Sequence, residues 1–186
     1  MSKFILLSIF LFFCTSLSSQ SSPATEVRAM WLTTNWNLDW PKSNHSIEQQ
    51  KKHFYDILDQ LQQLNINTVF FQSRIRGDVF YNSQIEPASP YAKQGFDYLQ
   101  FALEECHKRG IECHAWIVTF PVGSKKQVKS HGKSSVVNKK RSLCKFFNNE
   151  WYLDPGNPDT RKYLLGIVEE IVRNYDIDGI HFDYIR

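Results

Sequence analysis

The chain has 186 residues, 42% of them apolar, which suits a single domain with a core of its own. A formal charge of +3 is too small to argue for nucleic acid, and no basic helical stripe or nucleic-acid motif supports such a partner. Aromatic residues make up 15%, a share that either fills a core or lines a carbohydrate site.

The first 22 residues read as a secretory signal peptide. Lys3 supplies a positive start, Phe4 to Phe13 is apolar apart from Ser8, and Thr15-Ser16-Leu17-Ser18-Ser19 offers small residues to a peptidase. The apolar run is about half of the roughly 20 residues a spanning helix needs, so no stable membrane insertion is expected. Cys14 raises the alternative of a lipoprotein. Bulky Phe12 and Phe13 stand where a lipid-attachment signal calls for small residues, which argues against it. The expected location is periplasmic or extracellular.

From residue 23 onward, strand and helix signals alternate. Val27 to Thr33 is apolar and extended. Ser46 with Gln49 three residues later has the form of a capping box, and Phe54, Ile57, Leu58, Leu61 and Leu64 follow at helical spacing. Ile66 to Gln72 is a second strand. Leu99, Ala102, Leu103 and Cys106 mark the apolar face of a second helix that Gly110 ends. Ile111 to Phe120 is a third strand. Asn157 caps a third helix with Pro158 at its first position, and its stripe runs through Leu164, Ile167, Val168, Ile171 and Val172. Gly179 to Ile185 is a fourth strand.

This βαβαβαβ order predicts an α/β fold, with parallel strands inside and helices outside. No Gly-rich phosphate loop follows the first strand, as a doubly wound nucleotide-binding sheet would usually have. Long loops after the second and third strands, with tight returns, fit the first half of a (β/α)₈ TIM barrel that works at its strand C-termini. Closure needs eight strands and typically about 250 residues. Four further βα units are therefore expected beyond Arg186, unless the gene is interrupted there.

Residues two apart on a strand share a face. That groups Phe70, Gln72 and Arg74, then His114 and Trp116, then His181 and Asp183, all expected to converge at the barrel mouth. Phe71, Ile117 and Phe182 would face the helices. Ionisable groups inside a barrel are costly unless paired or functional. Asp183 could act as nucleophile or as general acid or base in glycosidic cleavage, or could pair with Arg74 or Arg186. Cys106, Cys113 and Cys144 lack metal-ligand spacing and read as small buried residues. No metal or organic cofactor is implied.

Taken together and in this order, VRAMWLTT, FFQSRIRGDVFY, RGIECHAWIVTF, WYLDPGNPDTRKYL and DGIHFDYIR resemble the glycosyl hydrolase-like 10 family of bacterial envelope proteins. The resemblance spans about Glu26 to Arg186 and implies a (β/α)₈ glycoside hydrolase fold. It implies a polysaccharide substrate, with peptidoglycan glycan strands among those the family acts on. On this resemblance Asp183, the candidate catalytic residue, matches the family's strand-four aspartate. Gln72, Arg74 and Asp78 match a polar cluster after strand two, His114 and Trp116 the strand-three motif, and Asp154 the D-P-G turn; with His181 these form the expected substrate-binding set. Two departures alter the wall: Ser73 and Ile75 replace the Val and Pro of a Gln-Val-Arg-Pro motif, and Val118-Thr119 replaces an Asn-Pro pair.

Two features read either way. Lys125 to Lys145 holds eight cations and no acidic residue, and is either a solvated, mobile loop or a cationic wall for an anionic polymer. Trp36, Trp40 and Trp151 either stack on sugars or pack within loops. Besides a glycosidase, the sequence admits a non-catalytic carbohydrate-binding domain or an inactive truncated fragment. An enzyme would need a second carboxylate near Asp183, for which Asp78 and Asp154 are the candidates. If the leader reading holds, N-terminal sequencing of the exported protein will start between about Ser18 and Ala24. An intact Met1 in that fraction would refute it.

Overall fold

The computed structural model describes residues 26–185. Residues 1–25 and Arg186 lie outside them, and with them the expected leader at residues 1–22.

Four strands, β1 (Ala29–Leu32), β2 (Thr68–Arg74), β3 (Glu112–Val118) and β7 (Gly179–Asp183), form a parallel sheet in the order β1-β2-β3-β7. Helix α1 (Ile47–Gln63) connects β1 to β2, and α2 (Tyr98–His107) connects β2 to β3. Helix α5 (Pro158–Asn174) leads into β7. The strands are sequential neighbours with crossover helices, which is the first half of a (β/α)₈ barrel.

The helix starts follow local chemistry. Ser46 Oγ accepts from the Gln49 amide at 3.2 Å while Gln49 Oε1 accepts from the Ser46 amide at 2.9 Å, closing the capping box. Asn157 Oδ1 accepts from the Asp159 amide at 2.9 Å, with Pro158 in the first turn. On α5 the fully covered stripe is Thr160, Tyr163, Ile167 and Ile171, whereas Val172 of the expected stripe is exposed.

The outer strand face (Leu32, Phe71, Ala115, Ile117) packs in one core with Phe54, Leu58, Leu99, Leu103 and Ile167 of the helices. Phe182 pairs with Ile117 on that same face, as expected, and is 44% exposed. Cys106, Cys113 and Cys144 are free and buried. Trp40 is not an exposed sugar-stacking ring. It is fully buried against Phe54, Phe71, Tyr98 and Phe101, and its indole N–H donates to the Gln50 carbonyl at 2.8 Å. Trp36 does remain exposed.

The basic stretch is not a loop. It folds as β4 (Pro121–Ser124), α3 (Lys125–His131), α4 (Val136–Lys139), β5 (Cys144–Phe147) and β6 (Glu150–Leu153), the strands forming an antiparallel sheet in the order β4-β6-β5. A small set of apolar residues among the cations explains this. Val128, Val136, Val137, Leu143, Cys144 and Leu153 are all buried and continuous with the main core. Among the described residues, no helix is long and apolar enough to cross a membrane.

Entry into β7 is set by Asp178. Its carboxylate accepts from the Cys113 amide at 2.6 Å and lies 2.8 Å from His107 Nε2. Gly179 follows because the His114 ring lies where a side chain would go, 2.5 Å from a Cβ built there. Burial works to raise the Asp178 carboxyl, but the Cys113 amide and His107 more than offset it and hold it below the usual carboxylate value. A lowered folded-state pKa contributes stability above the unfolded value of about 3.9, lost as pH falls through the folded one. Asp178→Asn should therefore melt a few degrees below the parent at pH 7, the gap narrowing below about pH 4. Melting curves from pH 7 to 3 check this; a constant gap would show that the contribution is not the carboxylate's charge.

Candidate active site

At the C-terminal ends of the strands, under the antiparallel sheet, lies a cavity of about 610 Å³. Gln72, Trp116 and Val118 line it from the barrel strands, and Thr33 and Asn35 from the loop after β1. The antiparallel sheet adds Lys145, Phe147, Glu150, Tyr152 and Leu153, Arg76, Asp154 and Tyr184 add polar groups from loops, and Ile75, Phe120, Pro121 and Pro155 add apolar surface.

Gln72 is held by the turn after β1. Its Oε1 accepts from Thr33 Oγ1 at 2.8 Å, the Thr34 amide at 3.0 Å and the Asn35 amide at 3.1 Å. Asp183 is half-buried beside the cavity. Its Oδ2 accepts the Trp116 indole N–H at 3.1 Å and its Oδ1 accepts the Tyr184 amide at 2.7 Å, and both of those residues line the cavity. Tyr184 adopts a left-handed φ of 52°, which turns the chain immediately after the carboxylate. Asp183 therefore pairs with an indole and a backbone amide, not with Arg74.

Arg74 is not at the mouth. Gln72 pairs with Trp116 but Arg74 with Ile117, so Ser73 is an extra residue in β2. This bulge reverses the alternation and sends Arg74 outward with Ile117. There its guanidinium meets Glu86 in a fully buried fork, Nε to Oε2 at 2.6 Å and Nη2 to Oε1 at 2.8 Å. Nη1 donates to the carbonyls of Val118 and Thr119, and Tyr163 donates to Glu86 Oε1 at 2.8 Å. Burial opposes the Arg74 charge, but Glu86 outweighs it and keeps the guanidinium firmly protonated.

Asp78 is also buried behind the wall, 3.1 Å from His131 Nε2. Burial pushes its carboxyl above the usual value, His131 only partly opposing. His114 sits at the other end of the strands, level with Gly179 and 3.3 Å from Glu112. His181 is one layer above, stacked on Phe70 at 4.6 Å and accepting from the Trp31 indole at 3.2 Å. Of the expected set, Gln72, Trp116 and Asp154 thus line the cavity and Asp183 adjoins it. Arg74, Asp78, His114 and His181 do not line it.

Sequence reasoning missed the hairpin formed by β5 and β6. Its signal was Asn148-Asn149 between two alternating runs, with φ of 47° and 63° as a two-residue hairpin turn requires. Asp154 Oδ1 caps its own turn through the Gly156 amide at 3.0 Å, and Glu150 is tied to Arg76.

The class is the (β/α)₈ barrel, of which these residues form the first half, with a polar and aromatic cavity at the strand C-termini. The glycosyl hydrolase-like 10 family model matches residues 26–185, and the chain belongs to that family. It is 32% identical over 166 residues to the glycosyl hydrolase YngK of Bacillus subtilis, covering 85% of this chain and 32% of that protein. It is 35% identical over 180 residues to the glycosyl hydrolase DigH of Escherichia coli K12, covering 84% of this chain and 41% of that one. The chain thus spans 32% and 41% of the length of these two relatives. Among solved structures it is similar to α-L-fucosidase isoenzyme 2 from Paenibacillus thiaminolyticus, with a TM-score of 0.58 at 20% identity, covering 86% of this chain and 23% of that one. It is also similar to the PgaB (BpsB) glycoside hydrolase domain from Bordetella bronchiseptica, with a TM-score of 0.55 at 16% identity, covering 85% and 44%. These two likenesses establish the fold.

Breaking the buried fork should be costly. Arg74→Met strands the Glu86 carboxylate and is expected to lose about 3–5 kcal/mol, while Arg74→Met with Glu86→Leu should lose less than the two single changes added together. A double-mutant cycle by urea denaturation measures this, and simple additivity would refute the coupling.

Proposed function

We propose that this protein is an exported glycoside hydrolase that cleaves glycosidic bonds in a polysaccharide, with peptidoglycan glycan strands as the substrate. The observation that carries the reading is Asp183. It stands at the C-terminal end of β7, is oriented by two hydrogen bonds, and adjoins the cavity in a chain whose family is glycosyl hydrolase-like. The leader-like residues 1–22 support export to the periplasm or the cell exterior.

In this reading Asp183 is the catalytic carboxylate, serving as nucleophile at the anomeric carbon or as the base that activates water. Trp116 orients it from one side, and Gln72 and Asp154 contact sugar hydroxyls. Arg74 and Asp78 act by holding the wall, without touching substrate. A second carboxyl group is required, roughly 5 Å away for retention or 6.5–9.5 Å for inversion. Glu150 and Asp154 both line the cavity and are the candidates for that role.

Asp183→Asn keeps shape and removes the charge. On peptidoglycan glycan strands, kcat should fall at least about 10²-fold, with glycan binding and melting temperature little changed. Product analysis by chromatography and mass spectrometry reads this out. Near-full turnover in the variant would remove Asp183 from the chemistry. A parent protein that binds the glycan without cleaving it would instead identify a binding module.

A further inference from the structure

We infer that the β5–β6 hairpin is a binding subsite for an acidic sugar, with Phe147 as the stacking platform and Lys145 as the counter-ion. The inference rests on the glycan reading above and names the kind of sugar that the same cavity takes.

Strand alternation divides the hairpin into two faces. Phe146 pairs with Trp151 and Cys144 with Leu153 on one face; Lys145 pairs with Tyr152 and Phe147 with Glu150 on the other. All four residues of the second face line the cavity. The first face is already satisfied by the protein itself. Cys144 and Leu153 are buried, and the Phe146 and Trp151 rings lie 4.9 Å apart. Lys125 sits 4.6 Å over Phe146 and Arg141 3.9 Å over Trp151.

Phe147 differs. It is 73% exposed on a cavity wall, and among the described residues no ring or cation covers it. The two-residue Asn148-Asn149 turn and the pairing to β6 hold it in place, so its position is set before any ligand arrives. An apolar ring fixed at the edge of a cavity that also holds amide, indole and carboxylate groups suits the C–H face of a pyranose.

Lys145 is the cation on the same face, two residues away and so roughly 7 Å along the strand. One sugar can span that interval with its ring and an acidic substituent. Its nearest carboxylate, Asp154, is 3.7 Å away, and the lysine side chain is 70% exposed. Such a pair is weak and can be exchanged for an external anion. Arg76, the other cation on the wall, is already bound to Glu150. Of the eight cations between Lys125 and Lys145, only Lys145 lines the cavity, so it is the one an acidic substituent there would meet.

Binding is measured in the Asp183→Asn background, so that turnover does not enter. The probes are peptidoglycan glycan strands and an oligoglucuronate, each with its carboxylates free or converted to neutral methylamides. Asp183→Asn with the hairpin intact should prefer the free acids, and the preference should shrink as salt is raised. Phe147→Ala should weaken all four ligands by about tenfold. Lys145→Met should weaken only the acids, by about five- to tenfold. Both positions are exposed, so melting temperatures should not move. Equal affinity for acid and methylamide, or unchanged affinity in Phe147→Ala, overturns the inference. So does single-stranded DNA that binds as tightly as the acidic glycans, since stacking plus charge would then read nucleic acid. Glycans that bind through the hairpin but are not cleaved by the parent sink the glycosidase reading and leave the subsite standing. Cleavage that neither hairpin change affects does the reverse.

Discussion

The Arg74–Glu86 fork is the interaction on which the site depends. A charged guanidinium and carboxylate with no solvent access are tolerable only when every polar direction is met. Here the carbonyls of Val118 and Thr119 and the Tyr163 hydroxyl meet them. One ion pair therefore joins the end of β2, the end of β3, the loop that carries Glu86, and α5. Loosening any of these would leave a buried charge unmatched, so the fork holds the strand ends, and with them the cavity floor, in one arrangement.

The bulge at Ser73 makes this possible. Without the extra residue, Arg74 would follow Gln72 onto the inner face and compete for the mouth. With it, the cation is turned toward the helices and the inner face keeps a neutral amide next to an indole. Two buried groups thus do different work from adjacent positions. Gln72 shapes the cavity by gathering the β1 turn, and Arg74 stabilises the frame behind it. Asp183 profits from both, since Trp116 stands between the Gln72 level and its own carboxylate.

The antiparallel insert supplies what the parallel strands do not. Barrel strands bring carboxylate, amide and indole to the mouth, but nothing that reaches over it. The β5–β6 hairpin adds an aromatic and a cationic wall on one face while its opposite face is buried or covered by the insert's own cations. A segment of eight cations and no acids folds because six apolar residues tie it to the core and because some of its charges rest on aromatic rings.

Much of the fold was legible from local chemistry alone. The Ser46–Gln49 box, the Asn157-Pro158 start and the apolar stripes depend on residues a few positions apart, so spacing reveals them. The same holds for the strand order and for Asp183 at the end of the last described strand. What required the tertiary structure were outcomes decided by distant partners. Ser73 bulges against β3, some 43 residues away, and the reversal of Arg74 depends on Glu86 lying where it can meet it. Trp40 has the composition of a sugar-stacking residue and became core because Phe54, Tyr98 and Phe101 enclose it. The basic stretch looked like a solvated loop until its scattered valines found the core. Periodicity records which face of an element is apolar. It carries no information about which distant charge or cavity that face will meet, because that is settled only when separate elements compete for the same buried space.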